Sequence, residues 1–269
     1  MSKNIKLLAL DFDGTILDSD KRFPQETVGA LRELAENGVT IVASSGRGLA
    51  ELIAYQQEMQ VFHYGILACG GLIYDFQKRQ PIFKHKLDLG TALEILFAGQ
   101  LEKAMIHVLT MDMSAVTKAD LRDMRRLRMG VYRCVSNIVP DIELFTRENE
   151  HDLLKIDLYH KNPDSRSCSR QQLKKLPLTM TNTEAATLEL SPVGVSKGSG
   201  LNRLCKMLNL DLSECAAIGD SPNDLEMLQT AGLSIAMGNA SEQVKSACKI
   251  VTMDNDHNGV LQAIKRYLQ

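Results

Sequence analysis

Short β-rich runs alternate with amphipathic helical stretches at both ends of this chain, and that rhythm admits few folds. Residues 5–10 (IKLLAL), 39–44 (VTIVAS) and 63–69 (HYGILAC) read as strands, with helices expected over 25–37 and 48–59 between them. The far end repeats the pattern: helix 197–208, strand 215–219, helix 223–231, strand 233–237, helix 241–248, strand 249–252 and helix 258–268. A strand–helix–strand succession predicts a parallel sheet with its crossover helices on the faces, so the fold class is α/β with a Rossmann-like parallel-sheet core.

Between the two halves the texture changes. Residues 72–87 form a hairpin pattern around the polar turn QKRQ. A helix near 91–103, a strand at 105–111, a helix at 117–128, a strand at 153–160, a helix near 164–175 and two short strands within 178–191 follow. This run reads as a separate α+β domain inserted into the first. The expected division is a core of 1–81 and 189–269 and an insertion of 82–188, with linkers near Arg79–Ile82 and Leu188–Pro192. No internal repeat or low-complexity tract interrupts it.

Composition narrows the function classes. The 269 residues are 44% hydrophobic, enough for one large core or two modest ones. A net charge of -2 supplies no basic field for nucleic acid or an anionic membrane. With 5% aromatic residues and no Trp, the composition also disfavours a stacking platform for bases. The opening MSKNIKLLALDFD lacks the apolar length and cleavage site of a signal peptide, and no stretch approaches the apolar length of a membrane span. The six cysteines (69, 134, 168, 205, 215 and 248) include no CxxC pair, which supports neither a disulfide framework nor structural zinc. A cytoplasmic protein is expected.

Four polar clusters stand at the C-terminal ends of expected core strands: Asp11 and Asp13, Ser44-Ser45-Gly46-Arg47, Lys197 in GVSKG, and Asp220-Ser221-Pro222-Asn223-Asp224. In an open parallel sheet, ligands bind outside those ends. Taken singly, each has an ordinary explanation. SSGR can be a capped strand–helix turn, Lys197 a solvated helix residue, and GDSPND a turn with an N-cap. DxDG also opens calcium loops, but the twelfth position from Asp11 is Arg22, where such a loop needs Glu. Four clusters after four β/α elements argue for one shared site.

The inventory suits phosphoryl transfer, which is largely positioning and charge neutralisation. Asp11, Asp220 and Asp224 offer hard oxygens for magnesium. Gly14, Ser45, Gly46 and Lys197 supply the amides, hydroxyl and point charge that hold a phosphate. One aspartate can attack phosphorus, and a second, two residues on, can face the leaving group because Phe12 turns back into the core.

The ordered set DFDGT, SSGR, GVSKG and GDSPND resembles the haloacid dehalogenase superfamily of phosphohydrolases. The roughly hundred-residue insertion between the second and third motifs is similar to the Cof-like class IIB branch. The resemblance implies Asp11 as nucleophile and Asp13 as general acid and base. It implies Ser45, Gly46, Lys197 and Asn223 around the phosphoryl group. Magnesium would be held by Asp11, the Asp13 carbonyl and Asp220, with Asp224 supporting it directly or through water. Arg47, Cys69 and Gly70 become candidates for substrate contacts or for the hinge to the insertion. Relatives carry Asn-Gly where this chain has Cys69-Gly70, and Asp-Gly-Val where it has Asn258-Gly259-Val260.

The reading is a magnesium-dependent phosphatase acting through an aspartyl-phosphate on a small phosphorylated metabolite, a sugar phosphate first, with the inserted cap setting specificity. A monomer or weak homodimer is expected, with no nucleic-acid or membrane partner. The alternatives are a phosphomutase of the same branch and a non-hydrolytic phospho-acceptor of the response-regulator kind. The basic run RDMRRLR (122–128) reads as a solvated helix face, and His107, His151 and His160 share no metal-binding spacing.

Overall fold

The computed structural model of the protein describes residues 5–126, 137–183 and 185–269. The chain divides into two compact units: one comprises residues up to Gly46, Tyr55–Phe83 and Ser196–Gln269, the other Arg47–Ala54 and Lys84–Val195.

The first unit holds β1 (Leu7–Leu10), α1 (Gln25–Glu36), β2 (Thr40–Ser44), β3 (Tyr64–Leu67), β4 (Leu72–Asp75) and β5 (Gln80–Lys84) before the insertion. In the second unit come α2 (Leu89–Leu101), β6 (Met105–Thr110), β7 (Ser114–Thr117), α3 (Lys118–Arg126), β8 (Asn137–Val139), α4 (Ile142–Glu148), β9 (Leu153–Tyr159), α5 (Pro163–Leu173), β10 (Leu178–Asn182) and β11 (Thr187–Pro192). The first unit resumes with α6 (Lys197–Leu208), β12 (Cys215–Gly219), α7 (Leu225–Thr230), β13 (Leu233–Ala236), α8 (Glu242–Ala247), β14 (Ile250–Val251) and α9 (Gly259–Tyr267).

Among the described residues the first unit's sheet runs β14-β13-β12-β1-β2-β3-β4-β5, parallel from β14 to β3. β1 is apolar and buried at every position, as a central parallel strand covered on both faces must be. Its neighbours are β2, next in sequence, and β12, which begins only at Cys215. The strand order therefore reverses beside β1, which is where such sheets open a crevice. Register makes this specific. Leu10 pairs with Ala43 on one side and Ile218 on the other, so Asp11, Ser44 and Gly219 leave their strands abreast.

The second unit's sheet runs β10-β11-β9-β6-β7-β8. Strand alternation sends Ile106, Val108, Ile156, Leu158, Leu188 and Leu190 to one face, where they join residues of α2 and α4 in a hydrophobic core. The other face carries His107, Lys155, Asp157, Tyr159 and Glu189.

Several expectations change. Residues 48–59 form 3₁₀ turns at Leu49–Tyr55 and Glu58–Val61, not one helix. The chain changes unit between Ala54 and Tyr55, and Glu51 Oε2 takes the Gly48 N–H at 2.7 Å, closing a tight local turn. β7, β8 and α4 were not expected: at four, three and seven residues they are too short for periodicity to register. β11 pairs with β10 as far as Pro192, so residues 189–192, assigned from sequence to the core, lie within the inserted sheet. The end of RDMRRLR falls outside the described residues.

Candidate active site

Asp11 is the first residue beyond β1, and its N–H donates to the Ile218 carbonyl at 3.0 Å, extending the parallel ladder by one rung. Its side chain is therefore held at the sheet edge, 5% exposed. Phe12 turns away into a ring cluster with Phe23, Tyr55 and Phe62, at centroid distances of 5.5, 6.4 and 5.7 Å. That anchor leaves Asp13 facing outward, 41% exposed at its side chain and paired with Lys21 Nζ at 2.8 Å. Gly14 follows with φ +83, and a Cβ there would sit 2.5 Å from Asp220 Oδ2. Only glycine allows this turn to pass so close to Asp220.

α6 begins at the site because Ser196 caps it: Ser196 Oγ accepts the Ser199 N–H at 2.9 Å, and Ser199 Oγ accepts the Ser196 N–H at 3.0 Å. Lys197, the first helical residue, reaches back so that Nζ donates to Asp11 Oδ1 and Asp224 Oδ1, both at 2.6 Å. Asp224 is fully buried, and its Oδ2 accepts the N–H groups of Asp220 and Ser221 at 3.1 and 3.0 Å. Asp224 thus holds both the lysine and the loop that presents Asp220. Asp220 Oδ1 accepts from Thr15 Oγ1 at 2.8 Å.

The charges fit a divalent cation. One oxygen from each of Asp11, Asp220 and Asp224 lies within 4.8 Å of the others. Three carboxylates against one ammonium leave two negative charges in a buried space. Burial, reinforced by the charge of Asp224, raises the Asp11 carboxyl well above its usual range and lifts Asp220 to about 6. Lys197 is driven the other way: burial works against its charge, but Asp11 and Asp224 raise it above the ordinary lysine value, so it stays an ammonium. Two buried polar atoms, Ser44 Oγ and Asn223 Oδ1, have no partner among the described residues. A hard dication with oxygen ligands and an oxyanion beside it would satisfy this inventory.

The remaining expected residues fall as follows. Ser45 is 2% exposed at the end of β2, and its backbone is fixed by bonds to Ile66 O (2.8 Å) and from Cys69 N–H (3.0 Å). Gly46 closes that strand end and is the last residue there of the first unit, whereas Arg47 belongs to the second. Cys69 is buried in a left-handed conformation, φ 56, within electrostatic reach of Lys197. A Cβ on Gly70 would meet the Ser196 carbonyl at 2.1 Å, so this glycine lets the loop after β3 abut the helix that carries Lys197.

Sequence reasoning assigned no role to Thr15, Asn239 or Lys21. Thr15 stood in the DFDGT run itself. Asn239, whose Nδ2 donates to Gly14 O at 2.8 Å, follows β13, a fifth strand end that the same rule would have searched.

The inserted unit has a polar cluster of its own. Register sets His107 opposite Asp157 and Asp157 opposite Glu189. Lys155 Nζ lies 3.1 Å from Asp157 Oδ2 and 3.5 Å from Glu189 Oε1, while His107 Nε2 meets Ser114 Oγ at 2.5 Å. Burial, aided by Lys155, lowers His107 to about 3; burial raises Asp157 to about 8 against the pull of Lys155. His107 Nδ1 and Asp157 Oδ1 have no hydrogen-bond partner among the described residues. Also among the described residues, no helix is long and apolar enough to cross a membrane.

Residues 8–264 match the family described as haloacid dehalogenase-like hydrolase. Phosphatase YwpJ of Bacillus subtilis is 31% identical, covering 98% of this chain and 100% of its own. The 5-amino-6-(5-phospho-D-ribitylamino)uracil phosphatase YcsE of the same organism is 27% identical over 98% and 96%. Among solved structures, the HAD subclass IIB sugar phosphatase BT4131 superposes with a TM-score of 0.84, covering 97% of this chain and 98% of its own at 20% identity.

Proposed function

The chain belongs to the haloacid dehalogenase-like hydrolases and is a phosphatase of that family, and from this premise we propose that it hydrolyses a small phosphorylated metabolite through a phosphoryl group carried on Asp11. The observation that carries the proposal is the convergence of the Asp11, Asp220 and Asp224 carboxylates, with buried Lys197 bonded to Asp11 and Asp224.

The Asp11 carboxylate attacks phosphorus, the bond from phosphorus to the leaving oxygen breaks, and Asp13 delivers a proton to that oxygen. Asp13, now a base, takes a proton from water as the water attacks phosphorus and frees Asp11. Lys197 neutralises phosphoryl oxygens throughout, and Ser45, the Gly46 amide and Asn223 complete the cradle. Asp11, Asp220 and the Asp13 carbonyl would hold magnesium, with Asp224 fixing the loop behind them. The bound ion supplies positive charge against the phosphoryl oxygens.

Substrate discrimination is assigned to the inserted unit, and a sugar phosphate is the favoured class. The name of the YcsE relative, which specifies a phosphorylated ribityl chain, points to the same class. The protein works in the cytoplasm as a monomer or weak homodimer.

The test is phosphate release across a panel of sugar phosphates and other monoesters. The expected result is magnesium-dependent release of phosphate and free sugar, abolished by chelation. Full activity in excess EDTA would contradict the metal assignment. Accumulation of an isomeric sugar phosphate would make the enzyme a phosphomutase.

A further inference from the structure

We infer that Lys21 is a positioning residue for Asp13, holding the carboxyl group that serves the leaving oxygen; the inference rests on the acid–base reading of Asp13 above. Lys21 Nζ donates to Asp13 Oδ1 at 2.8 Å. With side-chain exposures of 34% and 41%, such a pair adds little to stability. What distinguishes it is how the chain is bent to present the lysine.

Lys21 has φ 62, a left-handed conformation that disfavours a side chain with a Cβ. Its neighbours hold it there. The Lys21 N–H donates to Asp18 O at 2.9 Å and the Asp18 N–H to Arg22 O at 3.0 Å. Asp18 Oδ1 accepts the Arg22 N–H at 2.8 Å, and Tyr55 Oη donates to Lys21 O at 3.3 Å. Two residues on, Phe23 packs edge-on against Phe12 and Tyr55 at 5.5 and 5.4 Å. Phe12 is the residue between the two aspartates, so one ring cluster anchors both ends of the loop. From the other side, Ser19 N–H and Oγ bond the Asp256 carboxylate at 2.8 and 2.7 Å, and Asn255 Nδ2 donates to Leu17 O at 3.0 Å. A solvated surface lysine needs none of this; strain held so firmly points to a use for the side chain it presents.

That use is geometric. Asp13 must meet the leaving oxygen and afterwards the incoming water, and a carboxyl that samples several rotamers meets them less often. The lysine narrows that choice through one oxygen. Its effect should therefore grow with the leaving group's need for a proton.

The experiment measures kcat and KM for wild type, Lys21→Met, Lys21→Arg and Asp13→Ala on aryl phosphates of rising phenol pKa, with melting temperatures as a check on folding. Lys21→Met should lose about tenfold in kcat/KM on the poorest leaving group and less than about threefold on the best. The dependence of its kcat/KM on leaving-group pKa, which reports transfer to Asp11 and not release from it, should steepen, and Lys21→Arg should restore the wild-type slope. A wild-type slope in Lys21→Met, whether its rates are unchanged or uniformly lowered, would overturn the inference, as would an arginine variant as steep as the methionine one. If Asp13→Ala itself kept the wild-type slope, the acid role of Asp13 would fall and the inference with it. A steep Asp13→Ala beside an unaltered Lys21→Met would refute Lys21 alone.

Discussion

Lys197 Nζ stands 2.6 Å from both Asp11 Oδ1 and Asp224 Oδ1, one ammonium joining carboxylates from β1 and from the turn after β12. The lysine is 1% exposed, so removing it strands buried negative charge. Lys197→Met should cost roughly 3–5 kcal/mol of stability as well as activity. Asp11→Asn, which removes a carboxylate from the same crowd, should leave the melting temperature unchanged or higher. Denaturant melts of the two variants check this; equal destabilisation would contradict the charge argument.

The acidic site makes stability depend on pH in a defined direction. Burial and Asp224 raise Asp220 from 3.8 to about 6, and Asp11 is raised as well. Between these values the metal-free folded protein holds protons that the unfolded chain has released. The site's contribution to stability is therefore present at low pH and lost as pH rises through that window. The proposed magnesium would bind the deprotonated form, so it should raise the melting temperature more at about pH 7.5 than at about pH 5. Equal increments at both would contradict the assignment. Comparing melts with and without the ion isolates the site from Asp157 and His107.

Gly14→Ala should uncouple binding from fold. The new Cβ would press on Asp220 Oδ2 at 2.5 Å in a backbone conformation, φ +83, that alanine resists. Activity should fall by more than about tenfold, with a higher magnesium requirement. A magnesium titration of kcat decides it, and an unchanged half-saturation would count against Asp220 as a ligand.

With Asp11 as the proposed nucleophile, Cys69 would neighbour the chemistry without taking part. Cys69→Ser should keep turnover of an aryl phosphate within a few-fold. A loss as deep as that of Asp11→Asn, with folding intact, would show that the thiol matters.

The charged edge of the core sheet was legible because its residues are in the wrong place for a core. Asp11, Lys197 and Asp224 are charged, yet they follow or adjoin apolar strands, and burying charge demands a reason. The parallel core was legible from periodicity. What escaped notice depends on partners distant in sequence. Nothing near Glu51 indicates that 47–54 packs with the inserted unit, and nothing near Lys21 indicates a left-handed backbone or a bond to Asp13. Lys155, Asp157 and Glu189 look like the solvent side of alternating strands until the structure buries Lys155 and Asp157 and leaves Asp157 Oδ1 without a hydrogen-bond partner among the described residues. The short elements β7, β8 and α4 carry too few residues for a period to show.

The proposed chemistry bonds phosphorus to Asp11 during turnover. Asp13→Ala should slow the hydrolysis of that phosphoenzyme and let it accumulate on an activated aryl phosphate, where departure needs no acid. Acid quench followed by peptide mass spectrometry is the direct test. A hydroxylamine-labile phosphoryl group is expected on Asp11 in Asp13→Ala, and none when Asp11→Asn is added. Turnover that persists in Asp11→Asn, or a phosphoryl group found on another residue, would contradict it.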